Sequence, residues 1–283
     1  MTNPRKIEVI IEGSQPFQVI DLTVKNYLPI VSNYQRMSPF FMMDHEAPEK
    51  FDATTGQGRS DGLHPHRGLE TVTIVYEGAI THYDTKGNGG TILKDEAQWM
   101  TAGRGIQHTE FPELPDGGVS EMIQLWVLLP QRNKMDLPKY QTLTKESIKR
   151  IPVDGGEVRV LAGNFQGSTG PAQTFTPINL LDIRLQYEGK ADLTLPSEFN
   201  TGIFVVKGAV EVNGDDKVGA GKFILFANEG EHISLRSMSE ETKLLVLSGE
   251  PLNEPIAHRG PFVMNTTEEL DQAFEDFRNG LFN

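Results

Sequence analysis

Short apolar segments separated by turn residues recur along most of the chain and predict β-strands. The run TVTIVY at 71–76 is typical, because β-branched and aromatic residues fit a pleated sheet. Gly78 then allows a tight turn, and the alternating segment 79–84 predicts the returning strand. Comparable segments lie at 6–12, 17–22, 38–45, 122–130, 156–163, 178–185 and 202–206. Regularly spaced short strands with little helix predict an all-β sandwich or barrel.

The last residues of the sequence depart from this pattern and predict one α-helix over 266–279. Thr266 and Glu269 form a capping box, in which the hydroxyl and the carboxylate bind backbone amides at the start of the helix. Gly280 is the expected stop. The apolar stripe predicts a face packed against a barrel, and it consists of Leu270, Ala273, Phe274 and Phe277.

The segment from Gly58 to Glu110 contains two pairs of candidate metal ligands. His64 and His66 form the first pair, and His108 and Glu110 form the second. Alternate side chains of a strand share a face, so each pair directs two donors the same way. If the pairs face each other inside a barrel, three imidazoles and one carboxylate converge, which suits a first-row transition metal. The chain has no cysteine, so the usual zinc-finger spacings cannot apply.

A second carboxylate competes with Glu110 as the fourth ligand. Glu110 is two residues beyond His108, so on a continuous strand both side chains share a face. Glu70 is four residues beyond His66, and this even spacing could also turn it inward. Strand periodicity therefore leaves both carboxylates open. The polar loop 54–62 is a natural lid for such a site, or simply a connection.

Other histidines carry weaker signals. His45 is expected in a loop, with a position behind the metal ligands as the alternative. His82 has no strand-spaced partner, so it is expected to be structural or exposed. In the second half, residues 202–210 read like a copy of residues 70–80. That alignment places a threonine and a proline where the first histidine pair stands, and His232 stands alone. The second copy is expected to be a barrel without metal.

Length and charge set the broad class of protein. At 283 residues the chain suggests two domains or one large one. We predict an N-terminal domain over 1–135 that carries the metal site, a linker over 136–150 and a C-terminal domain over 151–283. The formal net charge of −13 argues against direct nucleic-acid and anionic-lipid partners. Without a membrane-span-length apolar run or cysteine, a cytoplasmic protein is expected.

Several motifs resemble those of a known family. The pattern G-x5-H-x-H-x3-E-x7-G over 58–78 resembles the first cupin motif with one extra residue, and G-x2-H over 105–108 resembles part of the second. The longer strings HPHRGLETVT at 64–73, QWMTAGRGIQH at 98–108 and GPFVMNT at 260–266 are similar to the pirin family. The resemblance touches both halves, whereas much of residues 141–250 matches only in pattern.

The resemblance implies a fold and a ligand set. Pirins are bicupins, with two stacked antiparallel β-barrels and the metal in the N-terminal one. When the family's motifs are aligned with this sequence, its metal ligands correspond to His64, His66, His108 and Glu110. Glu70 stands where many other cupins place a ligand. The family resemblance thus favours Glu110. It also implies iron, Fe(II), as the usual divalent metal, with zinc, manganese, nickel or copper remaining open.

The same resemblance implies two functions of different classes. Some pirins resemble quercetin 2,3-dioxygenases, which predicts a small aromatic flavonol substrate, dioxygen as co-substrate and Glu110 as the catalytic proton acceptor. Others act as non-enzymatic, redox-sensitive partners of a transcription factor or a metabolic enzyme. The enzyme is favoured here, with the sensor as the alternative and a protein partner left open. A monomer is expected.

Overall fold

The computed structural model describes residues 3–19, 22–29, 33–54 and 62–283. The strands of the first half are β1 Ile7–Ile11, β2 Phe17–Val19, β3 Leu22–Leu28, β4 Phe40–Phe51, β5 His64–His66, β6 Leu69–Glu77, β7 Ala79–Asp84, β8 Gly89–Leu93, β9 Ala97–Thr101, β10 Ile106–Pro112, β11 Gly118–Leu128 and β12 Lys139–Leu143. Those of the second half are β13 Lys149–Ala162, β14 Asn164–Phe165, β15 Ser168–Thr169, β16 Ile178–Thr194, β17 Asn200–Lys207, β18 Ala209–Val212, β19 Asp216–Gly219, β20 Lys222–Phe226, β21 His232–Ser237, β22 Glu241–Gly249, β23 Ala257–Arg259 and β24 Phe262–Met264. The helices described are a 3-10 turn at Gln131–Asn133 and α1 at Thr267–Arg278.

The strand pattern of the sequence is confirmed, including its internal repeat. Strand β6 turns into β7 at Gly78, which has a φ of +79°, and β17 turns into β18 at Gly208, which has a φ of +76°. Both turns need this left-handed conformation, which glycine adopts without steric cost. The strand expected over 17–22 is divided between β2 and β3, and residues 20–21 lie outside the described ranges.

The described residues form two compact units that are not contiguous in sequence. Unit A contains the described residues up to 14, together with 36–38 and 146–251. Unit B contains the described residues of 15–35, 39–145 and 252–283. Strand β12 lies within the predicted linker and pairs with β9 of unit B. The contiguous domain boundaries at 135 and 151 stay a prediction.

Unit A is an antiparallel sheet with an aliphatic interior. Its strands run in the order β1-β20-β17-β22-β16-β21-β18-β19, with β13 paired to β16. Ile203 and Val205 of β17 pack in one cluster with Leu244 and Val246 of β22, and all four side chains are fully buried. Alternate residues of each strand enter the cluster, as the period of a pleated strand requires.

Unit B is built from two antiparallel sheets. The larger runs in the order β12-β9-β6-β11-β4-β3-β2, and the smaller in the order β5-β10-β7-β8. Val75 of the larger sheet packs with Ile80 and Ile92 of the smaller in one buried cluster, so the two sheets face each other. This facing arrangement lets side chains from both sheets meet inside the unit.

The C-terminal helix completes unit B. Its N-terminus is the predicted capping box, in which Thr266 accepts a hydrogen bond from the Glu269 amide and Glu269 accepts one from the Thr266 amide. Asp276 of this helix lies 2.8 Å from the buried guanidinium of Arg67. The segment before the helix carries Pro261, whose carbonyl reaches the candidate site. Among the described residues, no helix is long and apolar enough to cross a membrane.

Candidate metal centre

Strands β5 and β10 bring the predicted histidines together. They pair antiparallel, so that His108 lies opposite His64 and Ile106 lies opposite His66. The ring centroids are 4.4 Å apart for His64 and His108, and 5.0 Å apart for each of the other two pairs. One nitrogen of each ring lies within 4.8 Å of the others. We call His64, His66 and His108 the histidine cluster.

Backbone carbonyls fix two of these rings from outside. The Nδ1 atom of His64 donates to the Gly62 carbonyl at 2.9 Å, and that of His66 donates to the Pro261 carbonyl at 3.3 Å. A carbonyl oxygen only accepts, so both neutral rings carry their hydrogen on Nδ1 and leave the lone pair on Nε2. Such hydrogen bonds orient metal-binding imidazoles.

The third ring, His108, has a buried nitrogen available for a ligand. Its Nε2 atom is buried and has no hydrogen-bond partner among the residues that the structure describes. A buried polar atom in this condition costs free energy unless something binds it. Its other nitrogen, Nδ1, lies 3.3 Å from Nδ1 of His82. The cluster therefore fits a divalent transition metal bound through Nε2 atoms.

Burial keeps two rings of the histidine cluster, His66 and His108, neutral. It lowers the pKa of His66 to about 3, with a further lowering from the neighbouring His64. Burial also lowers the pKa of His108 well below its usual value, and the neighbouring imidazoles add to the effect. The neutral imidazole is the form that binds metals, so these two rings are in their ligand form at neutral pH.

Glu110 lies beside the cluster and is held from the facing sheet. The Thr73 hydroxyl donates to its Oε1 atom at 2.6 Å, and the amide of Gln98 donates to the same oxygen. The other oxygen, Oε2, lies 3.9 Å from Nδ1 of His108. Ligand-atom distances group Glu110 with His82 and His108, a second group that shares one residue with the histidine cluster.

Glu70, the rival carboxylate, points to the other face of strand β6. Gly68, with a φ of +80°, separates β5 from β6, so the even spacing from the first histidine pair does not carry across. Glu70 is 1 % exposed and accepts a hydrogen bond from Thr101 at 2.7 Å. Thr73, which reaches the candidate site, stands three residues further along the strand and hence on the opposite face. Burial raises the pKa of Glu70 to about 7, although the Thr101 bond opposes the shift.

His82 is the residue of this site that the sequence pattern did not single out. It is 0 % exposed, and its ring stacks on Tyr140 with the centroids 4.7 Å apart. Its Nε2 atom lies 3.4 Å from Oδ2 of Asp84. The expectation that His82 has no strand-spaced partner was wrong, because His82 and Asp84 form an i, i+2 pair on β7 like the two pairs that were recognised.

Two further expectations from the sequence concerned His45 and the lid over residues 54–62. His45 was expected in a loop, and this was wrong: it lies in strand β4, is 6 % exposed and has its Nε2 atom 3.3 Å from Glu121. The placement follows from the length of β4, which continues past the apolar residues 40–43 to Phe51 and stays buried as far as Glu46. Gly58 and residues 55–61 of the suggested lid lie outside the described part of the chain, so the lid stays a prediction.

Polar side chains cross the inner face of the larger sheet beside the cluster. We call them the polar row, one residue from each of five neighbouring strands: Asn26, Asp44, Gln124, Thr73 and Gln98. Asn26 donates to Asp44 at 2.7 Å, and Gln98 donates to Thr73 at 3.2 Å. Burial raises the pKa of Asp44 to about 6, against the effect of its bond from Asn26. The row lines the unit with hydrogen-bond donors and acceptors.

Two cupin-type antiparallel β units, one with a three-histidine cluster and an adjacent carboxylate in its interior, define the class of bicupins. The chain belongs to the pirin family, since the family model for pirin matches residues 21–127 and that for the pirin C-terminal cupin domain matches residues 180–283. The predicted all-β fold, its C-terminal helix and its family are thereby confirmed. Pirins typically bind a metal, and the histidine and glutamate groups described above could hold one.

Known relatives agree with this assignment. A quercetin 2,3-dioxygenase from Acinetobacter baumannii, known from a crystal structure, is 41% identical to this chain. The two structures superpose with a TM-score of 0.94 over 99% of each chain. Pirin-like protein 2 from Arabidopsis thaliana is 37% identical over 88% of this chain and 77% of its own length. The bacterial pirin YhhW from Escherichia coli, in complex with nickel(II), has a TM-score of 0.66 at 22% identity over 86% of this chain and 99% of its own, which shows the fold alone.

Proposed function

We propose that this chain is a metal-dependent dioxygenase of pirin type that acts on a flavonol such as quercetin. The observation that carries the proposal is the histidine cluster, in which the Nε2 atom of His108 is buried and unpartnered among the described residues, with Glu110 beside His108. The 41% identity to the Acinetobacter protein, which is named a quercetin 2,3-dioxygenase, supports the substrate class.

The proposed ligands are His64, His66, His108 and Glu110, and the proposed metal is ferrous iron. Three neutral nitrogens and one carboxylate form a donor set that first-row divalent metals accept, with iron among them. A metal bound there would lower the pKa of a coordinated flavonol hydroxyl and favour its reaction with dioxygen. In the net reaction both oxygen atoms of dioxygen enter the products, and one carbon of the flavonol leaves as carbon monoxide.

Glu110 is the proposed acceptor of the flavonol hydroxyl proton. Its Oε1 atom is held by the donors Thr73 and Gln98, while Oε2 makes no such contact with them. Tyr140 donates to the carbonyl oxygen of the Gln98 amide at 2.7 Å, which keeps the amide nitrogen turned toward Glu110. These bonds hold the carboxylate at a defined place, which general-base catalysis requires before a favourable pKa can act.

The walls of the site suit a flat polyphenol. Trp126 stands edge-on to His66 with the ring centroids 5.0 Å apart, and it is parallel to Phe41 at 6.3 Å. An aromatic substrate can pack against such rings, because offset and edge-to-face contacts between aromatic groups are favourable. The polar row lies on the same sheet as Trp126, since Gln124 is two residues from it on β11, and it supplies amide and carboxylate partners for phenolic hydroxyl groups beside the aromatic rings.

The test is turnover of quercetin by protein loaded with ferrous iron under anaerobic conditions and then exposed to air. We expect one molecule of carbon monoxide to be released for each molecule of flavonol consumed, the latter measured by the loss of its absorption band. Metal-free protein should show neither change. The control is His45→Gln, a buried histidine outside the cluster, which should turn over quercetin like the wild type. Iron-loaded protein that leaves quercetin intact would contradict the dioxygenase and favour the redox-sensing alternative.

A further inference from the structure

The second titratable group of the site, centred on His82, carries an inference of its own. His82 lies between Asp84 and His108, with Nε2 3.4 Å from Asp84 Oδ2 and Nδ1 3.3 Å from His108 Nδ1. His82 and His108 are 0 % and 1 % exposed, so water does not compete for these contacts. Stacking on Tyr140 fixes the plane of the His82 ring.

Asp84 is held as a pure acceptor. Its Oδ1 atom accepts the backbone amides of Lys86 and Asn88, each at 2.9 Å, and its Oδ2 atom accepts the Asn88 side-chain amide at 2.9 Å. Burial would raise the pKa of Asp84, but the hydrogen bonds from His82, Asn88 and Lys86 lower it below its usual value. An ionised carboxylate has no hydrogen to donate.

The proton positions then follow one from another. Because Asp84 only accepts, the uncharged form of the His82 ring carries its hydrogen on Nε2 and a lone pair on Nδ1. That lone pair accepts from Nδ1 of His108, which places the His108 hydrogen on Nδ1. The remaining nitrogen of His108, the buried and unpartnered Nε2, is left with the lone pair that a metal requires.

We propose that Asp84 and His82 are a positioning pair that selects the Nδ1–H tautomer of His108 and aims its Nε2 atom at the metal position. His64 and His66 receive the same tautomer from backbone carbonyls, which no substitution of the acceptor residue removes. The tautomer of His108 depends instead on two side chains. Substitution of Asp84 or His82 can therefore change the tautomer of His108, the one ring of the histidine cluster whose tautomer depends on side chains.

The competing role for His82 is that of a ligand, since its nitrogen lies within 4.8 Å of the donor atoms of His108 and Glu110. The contacts argue against this role, because Nδ1 of His82 accepts from His108 and Nε2 donates to Asp84. Neither nitrogen keeps a free lone pair. Glu110 Oε2, the other acceptor near His108 Nδ1, lies at 3.9 Å and is too distant for a hydrogen bond.

The first test reads the tautomer in metal-free protein by nitrogen-15 NMR of the histidine side chains. Wild-type His108 should be in the Nδ1–H form. Asp84→Asn should shift it toward a mixture, because an amide can donate to His82 Nε2 and reverse both tautomers, whereas His82→Gln should retain the Nδ1–H form through the Gln carbonyl. An unchanged His108 signal in Asp84→Asn overturns the proposal, and this readout does not depend on the proposed dioxygenase activity.

The second test measures zinc affinity by competition with a chromophoric chelator, together with the visible spectrum of the cobalt-substituted protein. Asp84→Asn should weaken zinc binding about 10–100-fold and alter the cobalt spectrum, as is typical of lost outer hydrogen bonds to a ligand. His82→Gln should retain most of the wild-type zinc affinity. If His82→Gln instead removes metal as fully as His108→Ala does, His82 is a ligand and the positioning role is wrong.

The matched control is His45→Gln. His45 is likewise a buried histidine of unit B beside a carboxylate, with Nε2 3.3 Å from Glu121, but it lies outside both ligand groups. Its loss should leave the His108 tautomer and the zinc affinity as in the wild type. An equal effect of His45→Gln would assign the loss to general destabilisation and overturn the specific role of Asp84 and His82.

Discussion

At the scale of single residues, the two carboxylates that the sequence offers as the fourth ligand have different surroundings. Glu110 lies in hydrogen-bond contact with Thr73 and Gln98 inside unit B, near His108. Glu70 bonds with Thr101 on the other face of its strand. The choice between them therefore depends on which face each strand turns to the site, which residue spacing alone does not define.

We expect Glu110→Ala to lose most of its bound metal, as His64→Ala, His66→Ala and His108→Ala also should, because each removes a proposed ligand. Glu70→Ala should retain metal, because its carboxylate faces away from the cluster. Metal content by mass spectrometry and far-ultraviolet circular dichroism on all five proteins will check both points. A metal-free Glu70→Ala beside a fully loaded Glu110→Ala would reverse the assignment.

Glu46 gives a prediction about pH and stability. It is 0 % exposed, and burial raises its pKa from 4.5 to about 7, against the hydrogen bond from Ser120. The folded state therefore binds a proton more tightly than the unfolded state, so the free energy of unfolding falls as pH rises from 4.5 to about 7. The loss reaches at most about 3 kcal/mol.

Glu46→Gln removes this loss. In metal-free protein its free energy of unfolding should exceed that of the wild type by about 1–3 kcal/mol near pH 8 and match it below pH ~4.5. Urea titrations across this pH range will measure it. Asp52→Asn, at an exposed carboxylate of the same unit, should show no such difference, and a pH-independent effect of Glu46→Gln would contradict the explanation.

At the scale of elements, the bend at Gly68 separates the two strands that sequence reasoning joined. Its φ is +80°, and a side chain there would bring Cβ within 2.0 Å of the Val263 carbonyl oxygen. Gly87 has nearly the same φ, +82°, but open space around it. The two glycines therefore separate the cost of backbone conformation from the cost of a clash.

We predict that Gly87→Ala lowers the free energy of unfolding by about 1–2 kcal/mol, the cost of a left-handed alanine. Gly68→Ala should cost about 2 kcal/mol more, because backbone atoms must move to admit the methyl group. It should also weaken metal binding, since the bend lies two residues after His66. Urea unfolding of the two variants measures this difference. Equal losses of unfolding free energy would show that the backbone at Val263 moves aside at little cost.

Elements were predicted well where a local signal fixes them. The capping box at Thr266 and Glu269 located the helix within one residue at each end, and Gly78 and Gly208 located matching turns. The histidine pairs were found because both lie on uninterrupted strands. The direction of Glu70 could not be predicted, because Gly68 breaks the alternation, and the role of His82 depends on contacts between residues 26 positions apart.

At the scale of the whole molecule, unit B draws on both halves of the sequence. The Pro261 carbonyl accepts the Nδ1 hydrogen of His66, and strand β12 pairs with β9. A fragment cut at residue 135 contains the three histidines but neither of these partners. A contiguous N-terminal domain that ends at residue 135 therefore lacks two of the partners that support the site.

We expect a fragment of residues 1–135 to bind less than one metal per chain and to unfold at lower urea concentration than the full protein. Residues 15–145 joined through a glycine–serine linker to residues 252–283 should recover both properties, because this chimera contains the segments of unit B. Metal stoichiometry and urea titration of both proteins provide the measurement. Full metal occupancy in the fragment would show that the contiguous boundary is sufficient.

The Pro261–His66 hydrogen bond has a consequence for protein synthesis. Its partners are 195 residues apart, so at about 5–20 residues per second the carbonyl leaves the ribosome roughly 10–40 s after the imidazole. During that interval the nascent chain presents its histidines without the acceptor that orients one of them. Metal acquisition should therefore follow release from the ribosome, when the metal ions available around the finished chain rather than translation speed decide which ion the protein keeps.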